Sequence, residues 1–244
     1  MQHERTQLMN HNSLRLLIAA ALAFAAPFGA HAVDGTNVNG VTWAHSYEGN
    51  VMPSANSPAL TESGTFAGST DGNILTITSG YAQLLGGVGN ANWDGSSVTG
   101  STFEVRMRVT SQTSTFGGFF EIGNQIGYAG LAVATNYVQV NGGGGNPIRF
   151  LDATAFHTYR MTITNNVVRF YIDGDTNYLG NFTLAGGAYN AFDFGYGTGS
   201  AAGASQYDYV RWTNEGAFPV PEPSVLWLAG PVLLLGLAER RRAV

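Results

Sequence analysis

Asp173, Asp175 and Asn177 set three oxygen-bearing side chains at alternate positions, the spacing with which a calcium-binding loop begins. Such a loop also wants Gly at its sixth position and Glu at its twelfth. Tyr178 and Leu184 stand there instead, so a hairpin turn at Asp173-Gly174 explains the segment more simply. Calcium is the one cofactor the residues suggest, and no other metal set is assigned. Glycan hydrolysis would need two carboxyl groups about 5 to 9.5 Å apart. Glu121 stands on a plausible strand, but its alternating neighbours are Phe119 and Gly123, so any partner must come from elsewhere. Glu121 therefore reads as a strand residue, and no catalytic residue is assigned. His45 and His157 are too far apart in sequence to suggest a metal pair or a triad, and His157 reads as a hydrogen bonder at a strand edge. Cysteine is absent, which excludes disulfides, thiolate metal sites and a cysteine nucleophile. Gly142 to Gly145 is followed by neither Lys-Ser/Thr nor a helical pattern and is no phosphate cradle.

The elements that would position these groups are strands. The run from Thr102 to Val109 alternates Phe103, Val105, Met107 and Val109 with Glu104, Arg106 and Arg108, as a strand with one buried face does. His157–Ile163 and Val167–Ile172 are separated by Asn165 and Asn166, which tolerate the positive φ of a two-residue hairpin turn. Further strands are predicted at Ile74–Thr78, Gly118–Ile122, Gly130–Ala134, Tyr137–Val140, Leu179–Leu184, Ala191–Gly195 and Tyr207–Trp212, fenced by Gly, Asn or Asp. No stretch between Val33 and Val220 sustains a helical period, and 33 of 244 residues are Gly. This predicts an all-β fold, a jelly-roll β-sandwich over residues 33–219. In that setting the large aromatics Trp43, Trp93, Tyr128, Tyr137, Tyr189 and Tyr196 belong to the core, unless loops expose them for stacking on sugars. The same stretch carries 6 Arg against 13 Asp and Glu, a formal charge of −7, and the chain has no Lys. A nucleic-acid partner is thereby excluded, because phosphate binding needs a basic surface.

The two ends read as address labels. Leu14 to Phe28 is apolar behind Arg5 and Arg15, and Ala30-His31-Ala32 offers the small-x-small pattern of signal peptidase, predicting a signal peptide over 1–32 cut after Ala32. At the other end, Pro221-Glu222-Pro223 precedes an apolar stretch over 225–238 and the arginines Arg240, Arg241 and Arg242. As a helix this stretch rises about 21 Å, short of a hydrocarbon core about 30 Å thick, so it predicts a marginal span with its arginines cytoplasmic.

Residues 220–244 resemble the PEP-CTERM sorting signal. The resemblance implies recognition and cleavage by an exosortase after transient insertion in the inner membrane. It also implies delivery to the surface or extracellular matrix of a Gram-negative bacterium that makes exopolysaccharide. A second resemblance, to concanavalin A-like lectin and laminin-G-like domains, covers Thr99 to Trp212. It rests on His157, Tyr159 and Arg160, on Tyr171, Asp173 and Gly174, on Phe194-Gly195, and on Tyr207 to Trp212. It implies a sandwich of a kind in which calcium occurs at loop rims in laminin-G-like domains; no cofactor is assigned to this chain. The Glu-x-Asp-x-x-Glu strand of the family-16-like glucanases is missing. The expectation is therefore a noncatalytic surface or matrix protein engaging extracellular polysaccharide, not an enzyme. The alternatives are a purely structural coat or spacer protein and, ranked last, a glycan-cleaving enzyme.

Overall fold

Alternation of apolar and polar residues with a period of two, interrupted by Gly, Asn and Asp, lets a chain pleat into strands that each bury one face. The computed structural model describes residues 37–38, 40–113, 115–142, 148–175, 179–196 and 203–219. The predicted signal peptide with Ala30 and Ala32 lies outside the described residues. So do Asn177 and the predicted sorting segment with Pro221, Glu222, Pro223, the span 225–238 and Arg240 to Arg242. Among the described residues no helix is long and apolar enough to cross a membrane.

Among the described residues sixteen strands follow one another: β1 (Asn37–Val38), β2 (Val41–Thr42), β3 (His45–Tyr47), β4 (Thr61–Thr70), β5 (Leu75–Leu85), β6 (Ser101–Ser111), β7 (Gly118–Gly123), β8 (Gly127–Val133), β9 (Tyr137–Gly142), β10 (Ile148–Phe150), β11 (His157–Thr164), β12 (Val167–Ile172), β13 (Asn181–Thr183), β14 (Ala185–Gly186), β15 (Ala191–Gly195) and β16 (Ala204–Thr213). β1 and β2 form a separate hairpin, and the others join in one antiparallel sheet along the path β10-β9-β8-β7-β15-β5-β16-β6-β11-β12-β13, with β14 beside β8, β3 beside β16 and β4 beside β5. The sheet folds over itself at β5, whose Leu75–Ile77 pair with β16 while Tyr81–Leu85 pair with β15. Gly80 lies between the two halves with φ +73°. A Cβ there would meet the carbonyl oxygens of Gly64 and Ser63 at 2.5 Å, so this bend excludes every other residue.

The fold is thus an all-β sandwich, as the sequence predicts. One layer holds β13, β12, β11, β6 and β16, the other β10, β9, β8, β7 and β15, with β5 in both. Aromatic rings interlock between the layers. Phe103 of β6 sits 4.9 Å from Phe192 of β15, Phe120 of β7 sits 5.3 Å from Tyr159 of β11, and Phe192 and Trp212 lie 4.8 Å apart. Each is fully buried, worth about 1.5–3 kcal/mol per large apolar side chain. The hairpin turns arise where Asn and Asp allow them: Asn165 and Asn166 have φ 50° and 62°, and Asp173-Gly174 have φ 53° and 74°.

The outward face of β6 departs from expectation. Glu104 is buried there beside Arg160 of β11, because Val41 and Trp43 of the amino-terminal segment and Phe218 of the carboxy-terminal one close over this face. Arg160 donates to Glu104 at 2.7 and 2.8 Å, and its guanidinium lies 5.6 Å from the Trp43 ring. Tyr209 also donates to Glu104, at 3.2 Å.

Candidate active site

Because side chains alternate across a strand, residues in register on neighbouring strands share one face and form a row across the sheet. On the second layer, the row that crosses the outward face reads Asn141, Gly130, Glu121, Asp193, Gln83 and Thr61, on β9, β8, β7, β15, β5 and β4. Two carboxyl groups therefore stand side by side. Glu121 is directly opposite Asp193, and positions so paired have Cβ atoms about 4.5–5.5 Å apart.

The side chains around them form a connected polar set. Asn141 donates from Nδ2 to Glu121 Oε1 at 2.7 Å, reaching across the intervening strand. Gly130 makes that reach possible, since a Cβ there would come within 2.4 Å of Glu121 Cγ. Tyr189, in the segment leading into β15, donates its hydroxyl to Asp193 Oδ2 and accepts a 3.0 Å hydrogen bond from Gln83 Nε2. Oδ1 of Asp193 is buried without a hydrogen-bond partner, an arrangement that favours the neutral acid.

Electrostatics separates the two carboxyls. Burial first, and then the neighbouring charge of Glu121, push Asp193 up to about 8, against the lowering effect of the Tyr189 hydrogen bond. Burial also raises Glu121, opposed by Asn141. Asp193, with 5% of its surface exposed, is the more deeply buried and keeps its proton at neutral pH. A site with one neutral and one ionised carboxyl can protonate a leaving oxygen while stabilising the positive charge that develops behind it.

The sign of the resulting pH effect on stability is definite. An unfolded Asp loses its proton near 3.9, so from about pH 4 to about pH 8 the folded chain binds more protons than the unfolded one. Asp193 therefore favours the folded state most below pH 4, and this contribution is lost as pH rises to 8. Urea unfolding across that window is expected to show stability falling with pH, and Asp193→Asn is expected to flatten the slope.

Half-buried aromatics flank the row on the same face. On one side Tyr81 of β5 and Phe119 of β7 meet edge-on at 6.2 Å across Gly195; on the other Tyr128 of β8 and Tyr189 meet at 5.8 Å. Tyr137 lies farther out beside Phe150. Of the aromatics that the sequence assigned to the core, Trp43, Trp93 and Tyr196 are buried, while Tyr128, Tyr137 and Tyr189 belong to this face.

The other predicted residues lie elsewhere. Asp173 accepts from the backbone of Thr158 at 2.9 Å and pairs with His157, whose other ring nitrogen lies 2.9 Å from the Asp152 carbonyl. Asp175 pairs with Arg149 at 3.2 Å. The predicted calcium ligands among the described residues thus have protein partners, and no group of three His, Asp or Glu suited to a metal is found among those residues. His45 packs on Trp212 with ring centroids 5.4 Å apart. Sequence reasoning weighed Glu121 and read it as a plain strand residue, named Tyr189 only as an aromatic, and did not name Asp193, Gln83 or Asn141. The available signal was the run Ala191-Phe192-Asp193-Phe194, in which one carboxylate breaks a strand otherwise destined for the core.

No protein-family model and no curated protein sequence matches the chain. Solved structures similar to it include a carbohydrate esterase from a Shiga toxin-encoding bacteriophage, at 15% identity and TM-score 0.49, over 71% of this chain and 98% of the other. Another is a β-1,3-1,4-glucanase from a mouse hindgut metagenome, at 13% identity and TM-score 0.46, over 69% and 98%. A third is an endo-β-galactosidase from Clostridium perfringens, at 13% identity and TM-score 0.48, over 76% and 65%. At such scores a likeness carries no residue or activity from one chain to another. The expectation of a noncatalytic protein, not an enzyme, is nevertheless corrected. The ground is in this chain: the second carboxyl, whose absence carried that expectation, stands on the neighbouring strand.

Proposed function

We propose that this protein is an exported glycoside hydrolase acting on extracellular polysaccharide. The observation that carries the reading is the pair Glu121 and Asp193, in register on adjacent strands of a face flanked by aromatic side chains. In this mechanism the Tyr189 hydroxyl first moves off Asp193 Oδ2, and neutral Asp193 then gives its proton to the glycosidic oxygen as the bond to the anomeric carbon breaks. Glu121, ionised and held by Asn141, attacks the anomeric carbon from the other side, and water then displaces it while Asp193 acts as base. Carboxyls on directly opposite strand positions can come within the about 5–5.5 Å of a double displacement, in which the product keeps the configuration of the substrate. Release of reducing ends from polysaccharide by the purified protein tests the reading. Its loss in both Asp193→Asn and Glu121→Gln supports it; absence of cleavage across a broad glycan panel overturns it.

The route to the substrate belongs to the same proposal. A signal peptide over 1–32 and a PEP-CTERM segment over 220–244 would bring signal peptidase, transient membrane insertion and exosortase into play, supported by Ala30 and Ala32 and by Pro221 to Pro223 with Arg240 to Arg242. The mature domain would then be a concanavalin A-like sandwich at the surface or in the matrix of a Gram-negative cell. Mass spectrometry of the mature protein is expected to find termini near Val33 and Pro221; an intact tail through Val244 overturns the processing.

A further inference from the structure

On the reading that this face cleaves glycan, we infer that its substrate is an uncharged polysaccharide, cut within the chain rather than from an end. The first ground is the distribution of charge. Between Val33 and Val220 the cations are six arginines. Arg106, Arg108, Arg160, Arg169 and Arg211 stand on β6, β11, β12 and β16, all in the opposite layer. Arg149 is on β10, but its register partner is Val138, a core position, so it lies on the opposite parity from Gln139 and Asn141, and it is paired with Asp175. Both histidines of that stretch are engaged away from this face, His45 against Trp212 and His157 with Asp173. Among the described residues the face thus carries Glu121 and Asp193 with amide, hydroxyl and aromatic groups and no positive charge.

A uronate or sulfate group on the substrate would add an anion beside Glu121 with nothing to balance it. Like charges brought together in this way cost several kcal/mol. The same fact argues against cleavage by elimination. That reaction removes the proton beside a uronate carboxyl and needs a cation or a strong donor set to hold the charge that develops there. Hydrolysis of a neutral chain asks nothing of this kind: its transition state is positive at the anomeric carbon, which is the charge two carboxyls favour.

The second ground is the placement of the aromatics. Tyr81 and Phe119 lie to one side of the Glu121–Asp193 row, and Tyr128 and Tyr189 to the other. Glycines let the rings settle on the sheet: a Cβ at Gly195 would come within 2.6 Å of Tyr81 Cβ, and one at Gly123 within 2.7 Å of Tyr189 Cδ1. Apolar ring faces on both sides of the reacting bond can hold sugar units on both sides, as internal cleavage requires.

The test gives the purified full-length chain two sets of polymers. One is uncharged, with β-glucan, xylan, mannan and galactan; the other is anionic, with alginate, polygalacturonate and hyaluronan. New reducing ends and the absorbance of unsaturated uronates are both read. The expected result is release of oligosaccharides from at least one uncharged polymer, faster than from any anionic one by more than about 100-fold. Binding of that polymer to the Asp193→Asn variant is expected to be indifferent to salt, since no charge pair is involved. Tyr81→Ala and Tyr128→Ala are each expected to raise KM for the polymer about 10-fold, a loss of one ring's stacking on either side of the bond. Equal or faster cleavage of an anionic polymer without unsaturated uronates, abolished by Asp193→Asn, overturns the inference and leaves the hydrolase reading standing; formation of unsaturated uronates overturns both. Release of single sugars alone overturns internal cleavage. Failure to cleave any polymer overturns the hydrolase reading and the inference with it.

Discussion

Asp193→Asn is expected to lower glycan cleavage by about 10³-fold or more while the protein stays folded, the range spanned by loss of a general acid. Asn matches Asp in shape, so the hydrogen bonds with Tyr189 and the packing of Phe192 and Phe194 can persist. What vanishes is the proton that Asp193 holds at neutral pH. Glu121→Gln should cost a comparable factor by a different route, because the ionised partner is removed and the positive charge at the anomeric carbon goes unanswered. The two variants part company in their pH profiles. With Asp193 as acid, the alkaline limb of kcat/KM for the unaltered protein should fall near pH 8, and it should be missing from the residual activity of Asp193→Asn. Substrates with an activated leaving group, which need no proton, should restore the Asp193→Asn variant much more than Glu121→Gln. Equal impairment on both substrate types would remove Asp193 from the role of acid.

The second large effect concerns stability and the other layer of the sandwich. Arg160→Met leaves Glu104 in a site where its side chain is 5% exposed, with Tyr209 as its remaining donor. Breaking a buried pair in this way costs about 3–5 kcal/mol. The change is to be read as a fall in the urea midpoint at constant slope. Replacing Glu104 by Leu in the same chain should return most of the loss, since a buried pair exchanged for apolar side chains of similar volume is often neutral. A double variant no better than the single one would show that Arg160 contributes through its contacts with Trp43 and the backbone of Phe218 and Pro219 instead. Glycan cleavage, placed on the other layer, should survive the double change.

The parts of this fold legible in the sequence are those governed by near neighbours. Phe103 to Val109 alternate because one face is buried, and Asn165-Asn166 declare a turn because few other residues tolerate positive φ. β4 was not legible, since Thr61–Thr70 is mostly Ser, Thr and Gly and carries too little apolar alternation to announce a strand. β5 reads as ending near Thr78 because Ser79-Gly80 resembles a turn, whereas the chain uses Gly80 to bend and continue. The burial of Glu104 was hidden for another reason: its cover comes from Trp43 and Phe218, far away at both ends of the domain. The site shows the same division. Glu121 was visible on its own strand, and its partner was not, because the register of β7 against β15 is decided by packing among distant strands. A charge set among Phe192 and Phe194 was the only local trace of it.

The passage of β5 from one layer to the other has a kinetic consequence. Backbone amides of Leu75–Ile77 and of Tyr81–Leu85 belong to different layers but to one continuous strand. Neither layer can peel away without breaking the other's ladder. Hydrogen exchange in the two layers should therefore proceed through a single opening event, with the most protected amides of β15 and β16 sharing one exchange free energy. A protein with no disulfide to lock it gains from this: partial openings that would expose it to proteases are tied to the cost of unfolding the whole sandwich.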